Sequence, residues 1–319
     1  MSAHSPVHER HQAHGEMTAR AALASVSTAT FLLFLKGYAA WATASVAMLG
    51  SLADTGLDLI SSLITLYGVR LAAMPADQEH RFGHGKAEAL AALFQVGIIT
   101  FSAIGIGWRA VARLASGETT ANAEYGIAAS IAAIVVTFGL VLYQKRVIAR
   151  TASVAIQTDN IHYQSDLLLN VSVILALVLD QYVGIHGADP VLGFLIAIWL
   201  LWGAYISSNR AIDQLMDKEW PEEKRRRFVE VAARHPELKG LHDLRTRTSG
   251  AHEFVQFHIW IDPRMTVEEA HRVTEEIEAK LEAEFPGTEI LIHLDPEGHV
   301  DQPDNPLAET DLTQAEETQ

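Results

Sequence analysis

Four stretches of this chain are apolar over the length needed to cross a bilayer, and that fixes the solvent for most of the protein. A membrane helix needs about 20 mostly apolar residues. Residues 89–108, 125–143 and 191–208 meet this without one charge, and 21–38 carries only Lys36, near one end. A lysine so placed can snorkel to the headgroups. Two further segments are long enough but carry charges inside: 46–69 holds Asp54 and Asp58, and 160–179 holds His162 and Asp166. Six spans are expected. In lipid every backbone group must pair within the protein, so the spans are predicted to form an all-α bundle. The first 20 residues are polar and rich in histidine, with no pattern of a signal peptide. Six spans place both termini on one side. Short loops on that side hold nine basic residues, from Arg10 to Arg210, against Arg109 and Arg113 on the other. The positive-inside rule then puts both termini in the cytoplasm.

Beyond about Asp213 the apolar runs stop. Residues 221–235 and 266–285 read as helices, the second from its 3.6 period and the Asp-Pro before it. Residues 242–248, 253–261 and 288–294 alternate and are bounded by turn residues, so they read as strands. The order α-β-β-α-β predicts a small cytoplasmic α+β domain. Four regions follow: a His-rich flexible tail (1–16), a six-helix membrane domain (17–212), the α+β domain (213–297) and an acidic disordered tail (298–319). Seven acids and no Lys or Arg follow Pro296.

Ionisable groups inside a bilayer are costly unless paired, so they mark function. Asp54 and Asp58 are i, i+4 on one helix face, and so are His162 and Asp166. Brought together, the two helices offer three carboxylates and one imidazole. That set fits tetrahedral Zn²⁺ at about 2.0–2.2 Å per bond. Mg²⁺ fits worse, because it prefers six oxygens and retained water. Cd²⁺, Fe²⁺, Co²⁺ and Mn²⁺ stay open. A purely structural role would need buried cations to match three aspartates, and the spans offer only Lys36. A metal-free proton path is the other bland reading.

The net charge of −15 argues against a nucleic-acid partner, and the absence of cysteine excludes disulfides, thiolate zinc sites and cysteine nucleophiles. Any metal must use imidazole and carboxylate, and the chain has 15 histidines. Asp77, His80 and His84 could hold a metal in the loop after the second span, or simply form a solvated turn. In the α+β domain His242, His258, His271, His293 and Asp295 stand out, with His293 and Asp295 on one strand face. Single histidines there are more often structural; five in one small domain weaken that reading.

Ser51-Leu-Ala-Asp54-Thr-Gly-Leu-Asp58, Pro75-Ala-Asp77-Gln-Glu-His80-Arg-Phe-Gly-His84-Gly-Lys86-Ala-Glu88 and His162-Tyr-Gln-Ser-Asp166 together resemble the cation diffusion facilitator family, in particular its bacterial zinc and ferrous-iron efflux transporters. His242-Asp-Leu-Arg-Thr-Arg and Ile292-His293-Leu-Asp295-Pro extend the match, which runs over about 17–297. The resemblance implies a homodimeric proton antiporter in the bacterial inner membrane, with a metallochaperone-like cytoplasmic domain. It implies a transport site at Asp54, Asp58, His162 and Asp166, a loop site at Asp77, His80 and His84, and a two-metal cytoplasmic site at His242, His258, His271, His293 and Asp295. It also suggests a salt bridge between Lys86 and an aspartate after the last span, for which Asp217 is the candidate. Leu294 stands where a member of that family has a polar residue, which leaves the surroundings of the cytoplasmic site a departure from the resemblance.

The expected activity is efflux of Zn²⁺, with Cd²⁺ as a second substrate, in exchange for H⁺ by alternating access. Metal and protons compete for one ligand set, and His162 is the natural proton carrier, helped by the clustered aspartates. Fe²⁺, Mn²⁺ or Co²⁺ efflux by the same mechanism is the alternative. A membrane metal sensor that transports nothing is a more distant one. An intramembrane metallohydrolase is disfavoured, because four protein ligands leave no open position and no His-Glu-x-x-His occurs.

Overall fold

The computed structural model describes residues 6–43, 46–116, 124–179, 187–236, 238–299 and 311–312. The chain forms two compact units, His14–Ile212 and Asp213–Gln319, the latter grouped with Met1–Ala13.

Six helices carry the first unit: α1 (Pro6–Thr43), α2 (Val46–Ala72), α3 (Ala87–Ser116), α4 (Glu124–Thr151), α5 (Val154–Val178) and α6 (Ala188–Leu215). All but α5 are long and apolar enough to cross a membrane on hydropathy. Helix α5 is 25 residues long, and Gln157, Asp159, Asn160, His162, Gln164 and Asp166 lower its hydropathy. Residues 6–16, expected as flexible tail, are the first turns of α1. Pro6 stands at the first helical position, where its fixed φ suits a helix start, and Arg20 pairs with Glu16 one turn back at 3.1 Å. Residues 1–5 of that segment lie outside the described residues.

Contacts between helix ends show which ends lie together. The start of α3 meets the start of α5, where Ser153 Oγ donates to Glu88 Oε2 at 2.8 Å. The end of α6 reaches the same place through Arg210 and Gln157. At the opposite end, Arg113 of α3 donates to Asp189 of α6 at 2.8 Å. We call the end holding the start of α1 and the close of α6 the terminal side. Helices α4 and α5 join there by a two-residue link in which Ala152 has φ 50°. Ser153 then caps α5 by accepting from the Ile156 N–H.

The second unit holds α7 (Glu222–Ala232), β1 (Lys239–Ser249), β2 (His252–Ile261), α8 (Val267–Glu284) and β3 (Thr288–Pro296). The sheet order is β1-β2-β3, with β1 antiparallel and β3 parallel to β2. Phe228, Leu241, Val255, Phe257, Ile259 and Ile277 centre its core, on one face of the sheet beneath the two helices. Thr266 caps α8 through a reciprocal box with Glu269. Strand β1 is irregular on both sides of His242. Gly240 there has φ +57°, and a Cβ would lie 2.0 Å from the Trp260 ring, so only glycine fits. The predicted acidic tail lies mostly outside the described residues. Leu312 is placed: its N–H donates to Leu241 O at 2.7 Å, and its side chain packs on the core.

Candidate cation sites

Three of the four ligands predicted within the spans converge between α2 and α5. His162 Nε2 lies 3.0 Å from Asp58 Oδ1 and 3.8 Å from Asp166 Oδ2. One donor atom from each lies within 4.8 Å of the others. The i, i+4 spacing on α5 sets His162 and Asp166 on one face, and Asp58 meets them from α2. The cluster lines a cavity of about 350 Å³ together with Lys36, Asp54 and Arg109. Asp54 does not join the three. It sits one turn away on α2, 59% exposed, and its nearest cation is Arg109 at 3.9 Å. Ile99, Ile106, Ala133 and Thr137 also line this space. Ile99 is near the middle of α3, but Ser102, Gly105, Ile106 and Arg109 of α3 and Ala133 of α4 belong to the halves away from the terminal side, so the cavity lies toward that opposite end.

Lys36 does not snorkel. Its Nζ donates to Thr55 Oγ1 at 2.8 Å and lines the same cavity. The stem therefore points inward, and the ammonium faces the cavity that Asp58, His162 and Asp166 line.

The loop before α3 gathers its three predicted residues. Asp77 Oδ1 accepts from the backbone N–H of His80 at 2.6 Å and of Glu79 at 2.9 Å. Those bonds, His80's first, hold the Asp77 carboxyl below the usual carboxylate range. His84 Nε2 lies 3.3 Å from Asp77 Oδ2, His80 Nδ1 3.4 Å from Oδ1, and the two rings are 4.5 Å apart.

In the α+β unit the strand register aligns His242 with His258 and His258 with His293. Asp295 is the shared acid: its Oδ2 lies 2.8 Å from His258 Nδ1 and 3.3 Å from His242 Nε2, and its Oδ1 3.5 Å from His293 Nε2. His242 Nδ1–H donates to Gly240 O at 2.6 Å, which leaves Nε2 as the bare nitrogen. That buried Nε2 has no hydrogen-bond partner. An orphaned imidazole nitrogen beside a carboxylate and a second imidazole fits a divalent metal. His271 is not brought in. It is exposed on α8, 3.4 Å from Glu275. Of the suggested interdomain salt bridge, Asp217 pairs with Arg247 at 3.8 Å within its own unit, and Lys86 belongs to the helical unit.

Sequence reasoning did not single out Asp159. It is fully buried on α5, three residues before His162, with Ser25, Gln95 and Gln144 donating to it. The signal was present as an acid one turn from a predicted ligand.

Comparison with known proteins covers both units. The family model described as the cation efflux transmembrane domain matches residues 22–216, and the one described as the cation efflux protein cytoplasmic domain matches 220–297. Cation-efflux pump FieF of Cronobacter sakazakii is 39% identical over 283 residues, covering 89% of this chain and 94% of its own length. FieF of Shewanella oneidensis is 42% identical over 276 residues, covering 86% and 93%. FieF of Escherichia coli O127:H6 is 38% identical over 285 residues, covering 89% and 95%.

Proposed function

This chain belongs to the cation diffusion facilitator family of cation efflux transporters, and we propose that it exports Zn²⁺, with Cd²⁺ as a second substrate, in exchange for protons. The observation that carries this is the Asp58–His162–Asp166 cluster, set in a cavity between membrane helices. Two carboxylates and an imidazole suit Zn²⁺, and the chain has no thiolate to favour softer binding. Asp54, one turn away, becomes the fourth ligand when α2 turns toward α5.

Coupling follows from competition. The ligands bind metal only when deprotonated, so each cation that leaves is replaced by protons on the same atoms. His162 lies within 4 Å of both aspartates and serves as the shared proton acceptor. Basic residues concentrated on the terminal side support cytoplasmic termini. With that orientation, in the inner membrane of a bacterium, the cavity faces outward. The cytoplasmic cluster of His242, His258, His293 and Asp295 takes resident metal. In a homodimer, divalent ions there reduce repulsion between two acidic domains. The loop site at Asp77, His80 and His84 is a place where cation gathers near the cytoplasmic face.

The test is metal-driven proton movement in proteoliposomes carrying an internal pH dye, with Zn²⁺, Cd²⁺, Fe²⁺ and Mn²⁺ compared. We expect proton flux opposite to Zn²⁺, falling to the level of empty vesicles in Asp166→Ala. Metal binding with no flux overturns transport in favour of a sensor. Flux without proton exchange overturns the coupling.

A further inference from the structure

One turn below the ligand cluster, on the terminal side, lies a closed polar layer. Ser25, Ser61, Thr65, Gln95, Gln144 and Asp159 are each 0% exposed. Asp159 is at its centre. Ser25 Oγ donates to Asp159 Oδ2 at 2.6 Å, Gln144 Nε2 to the same oxygen at 2.7 Å, and Gln95 Nε2 to Oδ1 at 3.0 Å. Helices α1, α3 and α4 thereby all grip one side chain of α5. Among the described residues Asp159 makes no ion pair with Lys or Arg. Gln95 Oε1, also buried, accepts no hydrogen bond.

This is an expensive way to tie helices together. Small apolar residues or neutral hydroxyls pack membrane helices without burying a carboxylate. What the layer does hold is oxygen: a carboxylate, an unpartnered amide oxygen and several hydroxyls, the donors hard cations take. Its position is equally specific. Asp159 is three residues before His162, and Ser61 three after Asp58, so each is about one turn from a ligand. None of the six lines the cavity. The cluster is therefore open on one side and sealed on the other by groups that could solvate a cation.

We propose that this layer is the inner gate of the transport path and that Asp159 is its positioning residue. While the cavity is open, the bonds to Ser25, Gln95 and Gln144 hold α5 against α1, α3 and α4. When they release, a hydrated divalent cation enters from the terminal side and meets the Asp159 carboxylate before the cluster. The gate rests on the transport reading of Asp58, His162 and Asp166, and extends it to the opposite face of that site.

The chain has no cysteine, so one introduced thiol reports alone. Ser61→Cys is close to isosteric and lies in the sealed layer. The full chain in vesicles is treated with a membrane-impermeant maleimide from the terminal side, with and without Asp159→Asn. Asparagine keeps the volume but loses the charge that strengthens three accepted hydrogen bonds. We expect labelling about tenfold faster, with a raised KM for Zn²⁺, while Zn²⁺ affinity of the cluster by calorimetry changes less than about twofold. A residue that merely ties helices lowers the melting temperature and leaves labelling below the melt unchanged; that result overturns the gate. If Asp159→Asn does not fold, Ser25→Ala removes the 2.6 Å bond to Asp159, together with the bond Ser25 Oγ accepts from Gln144 Nε2 at 3.0 Å and the one it donates to Ala21 O at 3.2 Å. It is expected to speed labelling about threefold, and an unchanged rate again overturns the gate. Absence of Zn²⁺ uptake in the unmodified chain would defeat the transport reading, whereas normal uptake with unchanged labelling defeats the gate alone.

Discussion

Lys36 shows what a single residue can hide. Near the end of an apolar stretch, a lysine is expected to reach for headgroups. Whether its stem points to lipid or inward depends on helix rotation, which one isolated span does not reveal. Here it points inward to Thr55, and its charge shares a cavity with Asp58 and Asp166. Like charges in a site of reduced dielectric repel, so the ammonium lowers cation occupancy. Lys36→Met is expected to lower the KM for Zn²⁺ about fivefold in saturation of vesicle uptake; an unchanged or higher KM contradicts this. Asp58, His162 and Asp166 were legible because charges in apolar spans have few bland explanations. Asp54 was equally legible as a residue type, but its present orientation toward Arg109 was not. His271 has the right chemistry and the wrong place: it sits on the exposed face of α8 beside Glu275.

At the scale of the element, α5 is the most instructive. Reading apolar length alone begins this span at residue 160 and leaves Asp159 outside it. The helix begins at Val154, because the link at Ala152 is tight and Ser153 caps it. Asp159 is thereby drawn more than a turn into the bundle. In the α+β unit the alternation of 253–261 and the period of 266–285 were enough to place β2 and α8. The irregular pairing around His242 was not readable, since bulges follow backbone geometry rather than residue pattern. The α8 cap was visible in Thr266-x-x-Glu269, and it makes a pH prediction. Thr266's backbone N–H and then its hydroxyl donate to Glu269 and hold that carboxyl below its ordinary value of 4.5. A depressed carboxyl contributes stability that is present above about pH 4.5 and lost as pH falls through the lowered value. Thr266→Ala is expected to cost about 1 kcal/mol near neutrality. The gap between the melting curves of the two proteins should shrink below about pH 4; a gap that widens in acid contradicts the cap.

Over the whole molecule, two solvents explain the two halves. The bilayer admits only backbone that is paired within itself, so apolar length sufficed to set out a helical bundle. Water on the other half restores the polar–apolar alternation that marks strands, and the order α7-β1-β2-α8-β3 follows it. Long-range closure was the part no local pattern carried. Nothing in 51–58 or 153–170 states that α2 and α5 are neighbours, and only that pairing turns two weak i, i+4 signals into one cluster. The family resemblance implies that pairing, because it sets all four ligands in one transport site. Between its spans the helical unit thus presents the Asp58–His162–Asp166 cluster, with an open cavity on one side and a sealed polar layer on the other.

The central claim is that a cation binds between α2 and α5 at Asp58, His162 and Asp166. It is tested most directly by zinc K-edge X-ray absorption on the full chain with His80, His84, His258 and His293 replaced by alanine. We expect one tightly held zinc with a single imidazole and otherwise oxygen ligands at about 2.0–2.2 Å, lost on His162→Ala. No bound zinc, or a shell with two or more imidazoles that survives His162→Ala, would contradict the account.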